Sequence, residues 1–124
     1  MKFLDRFVEP IYALLRIVTG FLFLCHGSVK LFNWPAAYPR ELEPLTTAAG
    51  VIELVAGAMV MVGLFSRYAA FIASGTMAVA YWMVHHSMGT PLPIGNGGTL
   101  SALYCFAFLY IAARGPGIWS VNAK

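Results

Sequence analysis

The sequence predicts an all-α integral membrane protein, a four-helix bundle with its N- and C-termini on the cytoplasmic side. Three observations carry this expectation. Hydrophobic residues make up 60% and charged residues 10% of the chain, against about 45–50% apolar and about 25% charged in a soluble domain. A soluble chain of 124 residues has too little interior to hide so much apolar surface, whereas a bilayer is itself an apolar solvent. The apolar residues also gather into four stretches, and Lys and Arg are shared unevenly between the stretch ends.

In chain order the stretches run about 11–32, 45–64, 67–86 and 98–114. Each approaches the roughly 17–25 residues a helix needs to cross the hydrocarbon core. Asn33-Trp34-Pro35 and Tyr38-Pro39 stop the first, because proline lacks an amide donor and disfavours helix before it. That first stretch is long and no A-x-A-like site follows it, so it reads as a retained helix rather than a cleaved signal. Only Phe65-Ser66 separates the second and third, which makes them an antiparallel hairpin. Residues 87–97 hold two prolines and three glycines and read as a loop. Gly115-Pro116-Gly117 ends the fourth stretch. The whole chain, 1–124, reads as a single domain.

Lys2, Arg6, Arg16, Arg67, Arg114 and Lys124 fall on one side of this arrangement, and only Lys30 and Arg40 on the other. The positive-inside bias then places both ends and the short second link in the cytoplasm, in a multi-pass membrane protein. Trp34, Tyr38, Trp82 and Trp119 sit near helix ends, as interfacial aromatics do. The basic residues are single, without a run, which speaks against nucleic acid. Cys25 and Cys105 form no CxxC pair. A disulfide between them and two inert buried thiols are both compatible with their spacing. Gly50 and Gly57, and Ala70, Ser74 and Ala78, are small residues at spacings that let helices approach closely in lipid.

The informative residues are the ionisable ones inside the apolar stretches, where a central charge costs roughly 2.5–3.5 kcal/mol on insertion scales. Arg16, Gly20, Phe23, Gly27 and Lys30 form one stripe at steps of four and three, and His26 lies one turn before Lys30. Glu53 falls near the midplane, and His85 and His86 near the outer end of the third stretch. One reading is a polar pocket open to the outside, or a proton relay, built from Glu53, His26, Lys30 and His85. The other is structural pairing, Arg16 or Lys30 with Glu53, holding the helices together. A metal is not expected, since adjacent His85 and His86 point about 100° apart on a helix. The segment TPLPIGNGG at 90–98 is apolar and stiff, suited to a lid in which Asn96 offers hydrogen bonds.

The pieces LLRIVTGFLFLCHGSVKLF, AGVIELVAGAMVMVGLFSRYAAF, AYWMVHH, NGG and GPGIWSVN occur in this order along almost the whole chain. Together they resemble the DoxX family of small bacterial membrane proteins. The resemblance implies a four-helix membrane bundle and an association with redox chemistry, including quinone-coupled oxidation. It departs from the family pattern at Thr99 and Asn122, where acids are frequent. Three functions stay open. In a quinone-linked redox subunit, Glu53 and His26 hydrogen-bond the head group or pass protons, with Phe21, Phe23, Tyr81 and Trp82 as apolar walls. The chain shows no flavin, haem or iron–sulfur motif, so an oxidoreductase partner subunit supplies the electrons. The second is a non-enzymatic assembly or scaffold factor for such a complex. The third is a small transporter, which requires a homo- or hetero-oligomer. No residue is assigned as catalytic.

Overall fold

The computed structural model describes residues 1–38, 43–85, 92–93 and 98–124. Among them every regular element is helical: α1 Lys2–Asp5, α2 Val8–Phe32, α3 Pro44–Val62, α4 Ser66–Ala80 with a π-helical turn Tyr81–His85 continuing it, and α5 Thr99–Arg114. Helix α2 starts earlier than expected because Pro10 lies in its first turn, where the missing amide has no partner to lose. Asn33 ends it in the left-handed region, φ 53°, with its N–H on the Val29 carbonyl, a conformation asparagine tolerates. Pro44 occupies the first position of α3, where its fixed φ already suits a helix. Gly63, φ 76°, closes that helix, and the Leu64 N–H reaches back to the Met59 carbonyl at 2.8 Å. This is the glycine-terminated C-cap geometry, and it turns the chain into α4 within three residues.

Contact between helices is concentrated in two pairs, α2 on α3 and α4 on α5. The pairs meet through α3 and α4, while α2 and α5 touch only lightly. In the first pair the backbones themselves are in contact. A Cβ added at Gly27 would lie 2.5 Å from the Leu54 nitrogen and 2.6 Å from the Gly50 carbonyl oxygen. One added at Gly20 would lie 2.5 Å from the Met61 nitrogen and 2.7 Å from the Gly57 oxygen. Small residues allow this close approach. Between the pairs lies a core of Phe23, Val60, Ala70, Ala73, Phe108 and Ile111, all fully buried.

The outer surface is apolar. Leu103 and Phe106 are 65% and 69% exposed, in company with Leu14, Val18, Val55 and Phe71. Helices α2 and α3 are long and apolar enough to cross a membrane, and only 33% and 28% of their apolar windows are buried inside the protein. A core helix of a soluble protein would be mostly buried. Helix α5 is apolar but shorter.

Candidate functional site

A cavity of about 760 Å³ lies between the two helix pairs. Its polar groups come from all four long helices, His26 and Lys30 on α2, Thr46 and Glu53 on α3, Thr76 on α4, and Ser101 and Tyr104 on α5, with Tyr38 from the link after α2. The glycine contact explains why Lys30 and Glu53 meet. Each lies three residues beyond a contact glycine, Gly27 and Gly50, so the two backbones are already touching one turn away. Gly50 also leaves room for the lysine stem, since a Cβ there would come within 3.2 Å of the Lys30 Cβ. Lys30 Nζ donates to Glu53 Oε2 at 2.5 Å. The glutamate side chain is 3% exposed and the lysine 21%, so the carboxylate is inside and the ammonium reaches outward along its stem. Glu53 Oε1 has no hydrogen bond to any described residue.

Tyr104 was not anticipated as part of the site. It is 6% exposed, its ring stacked on Phe108 with centroids 5.7 Å apart and tilted against Phe23 at 5.3 Å. These contacts fix the ring where it lines the cavity, and its hydroxyl makes no hydrogen bond to a described residue. A signal was present: the tyrosine sits six positions into an apolar helix rather than at its end.

His26 lines the cavity with Lys30 and Glu53. It falls on the exposed side of α2 and makes no hydrogen bond to Glu53. Its ring meets the Tyr104 ring edge-on, centroids 5.8 Å apart, which holds it at the cavity rim. The expected walls also change. Phe23 belongs to the core, Phe21 is 50% exposed, and neither they nor Tyr81 and Trp82 line the cavity. Ile52, Met77, Ala80 and Leu100 do. His85 closes the π-helical turn and is described in its backbone alone. Asn96 and His86 lie outside the described residues. Cys25 and Cys105 are free thiols, and the Ser74 hydroxyl donates to the Cys105 carbonyl at 2.7 Å. No group of three metal-ligating side chains occurs among the described residues.

Arg16 stands apart from the cavity, and its expected ion pair with Glu53 gives way to another arrangement. The guanidinium is fully buried. Its Nε donates to the Val60 carbonyl at 3.1 Å, Nη1 to those of Pro116 and Ile118, and Nη2 to that of Trp119 at 2.6 Å. Val60 is in the last turn of α3, where the helix dipole is negative, and the other three carbonyls follow the end of α5. The segment after α5 is thereby strapped across the termini-bearing end. Tyr12 donates to the Gly115 carbonyl at 2.7 Å, the Val121 N–H to Val62 O at 3.0 Å, and the Phe65 N–H to Asn122 Oδ1 at 3.1 Å.

The arrangement offers a mostly apolar chamber with a carboxylate oxygen and a tyrosine hydroxyl that bond no described residue, and a histidine at the rim. A pocket of this size and character is what small-molecule sites use. The DoxX family model matches residues 11–86. An uncharacterized protein of Haemophilus influenzae is 37% identical over 130 aligned positions, covering 100% of this chain and 97% of that relative. No solved structure matches the chain. The matched span takes in α2, α3, α4 and the Arg16, Lys30 and Glu53 positions described above, and on it the chain belongs to the DoxX family, a membrane-associated family.

Proposed function

We propose that this protein is a four-span subunit of the bacterial inner membrane whose cavity takes the head group of a quinone, in association with an oxidoreductase partner that supplies the electrons. The observation that carries the reading is that Glu53 and Tyr104 line one mostly apolar chamber, in which neither Glu53 Oε1 nor the Tyr104 hydroxyl is hydrogen-bonded to a described residue. A quinone presents two carbonyl acceptors on a flat ring. The Tyr104 hydroxyl donates to one of them, and the carboxyl of Glu53 accepts or delivers a proton as the ring changes redox state. Lys30 holds the other carboxyl oxygen and so fixes its direction. His26 at the rim links the chamber to the water side for protons. The four-span topology with cytoplasmic ends is supported by the six-to-two split of Lys and Arg and by the apolar outer surface.

The test is thermal stability of the detergent-purified protein with a short-chain quinone, because a ligand that binds only the folded state raises its apparent stability. The wild type is expected to gain, and Glu53→Gln and Tyr104→Phe to gain less or nothing. No gain in the wild type would remove the quinone reading and leave the assembly-factor role, to be pursued by crosslinking to partners.

A further inference from the structure

Gly75 differs from the other helical glycines. A Cβ added at Gly20, Gly27 or Gly57 would run into backbone at 2.5–2.6 Å, whereas one added at Gly75 meets nothing within 4 Å. Gly75 is therefore not a packing glycine. It lies midway along Ser66–His85, as Glu53 lies midway along Pro44–Val62, so the two share a level. Both line the cavity.

From this we infer that the cavity opens sideways into the bilayer through a gap between α3 and α4 at Gly75. The ligand it admits is a membrane-dissolved molecule with a hydrogen-bonding head and an apolar tail, and the tail lies in the gap. The rim has the right chemistry. Ala48 and Val79 are exposed at the mouth, and Ile52 and Thr76 are half-buried behind them. The Thr76 hydroxyl donates to the Ile72 carbonyl of its own helix at 2.8 Å, so its proton is turned away from the gap. The charged pair sits deeper, with Glu53 only 2% exposed. Helices α3 and α4 join the two pairs, but their contact is lighter than that within either pair. A chamber of about 760 Å³ holds a ring-sized head, and a long tail must leave through the side. The tail and the doorway rest on the geometry of Gly75, while the identity of the head rests on the quinone reading above.

The experiment uses the full chain in phosphatidylcholine vesicles doped with a phospholipid carrying a diazirine in its acyl chain. After illumination, labelled residues are mapped by mass spectrometry. In the wild type, label is expected on Glu53, Met77 and Tyr104 as well as on the outer residues Leu103 and Phe106. In Gly75→Phe the cavity label should be lost while the outer label stays. Val79→Trp blocks the gap from a different position and should act alike, which keeps the test standing if one variant fails to fold. Cavity labelling that persists in both folded variants, or that is absent from the wild type, overturns the doorway. A tailed quinone added to the wild-type vesicles separates the two sources of tail. If it displaces label from Glu53, the quinone reading and the doorway both hold. If label disappears in the variants but quinone never competes, the doorway stands with a lipid chain as its occupant and the quinone reading falls.

Discussion

At the end that carries the termini, a buried cation is met by backbone carbonyls; in the cavity, a half-buried one is met by a carboxylate. Arg16 uses four of its five N–H donors on Val60, Pro116, Ile118 and Trp119. Its flat fork suits several acceptors at once, and one of the carbonyls it meets, that of Val60, belongs to a helix end that carries partial negative charge. Little bonding capacity is left over, and the result is a closed structural joint. Lys30 meets a carboxylate that has further lone pairs, one oxygen of which bonds no described residue. A charge satisfied by backbone dipoles locks a structure, whereas a charge satisfied by an acid leaves an acceptor with which chemistry can be done.

Breaking the joint should have the larger effect. Arg16→Met strands its carbonyl acceptors together and is expected to cost about 3 kcal/mol or more, given the strength of bonds to charged donors. Thermal unfolding in detergent reads the loss, and limited proteolysis should cut the released tail beyond Arg114. A tail that stays protected would show that Arg16 is not what holds it. Arg16→Lys should recover only part of the stability, because an ammonium lacks the planar fork. In the cavity, Lys30→Met leaves a buried acid without its partner, which takes up a proton rather than remain charged. The expected cost is about 2 kcal/mol. Glu53→Gln should cost less, since Lys30 is free to extend toward the surface. The double variant should then be more stable than the sum of the two losses predicts. Additive losses would mean the pair does not couple. The smallest effect belongs to Arg114→Gln, which removes the exposed bond to Glu9. Such pairs contribute little, and an unchanged unfolding midpoint is expected.

Much of this contrast is legible in the chain itself. Prolines and glycines mark the helix ends near Pro44, Gly63 and Gly115, where their effect on the backbone is local. The stripe Arg16, Gly20, Phe23, Gly27 and Lys30 is an inward face in the structure, four of the five buried and Lys30 half-buried, because helical periodicity depends on near neighbours alone. The Arg16 partners are not legible, since they are main-chain carbonyls about a hundred residues away, and a carbonyl has no residue type to betray it. Tyr104 escaped because tyrosine in an apolar helix has the same signature whether it bonds interfacial water or faces a chamber. His26 sits one turn from Lys30 on the same side of α2 and lines the same cavity, but it stays exposed at the rim while Lys30 turns in toward Glu53.

The contact of α2 with α3 through Gly20, Gly27, Gly50 and Gly57 has a thermodynamic consequence. A glycine has no rotamers, so closing this interface freezes no side-chain torsion of the four glycines themselves. Where Gly20, Gly27 and Gly57 meet backbone, association is opposed by backbone and rigid-body entropy, and the backbone part was already spent when each helix formed. Dispersion and Cα–H···O contacts between the touching backbones therefore act almost undiminished, which makes this pair the firm wall against which the rest of the chamber is built.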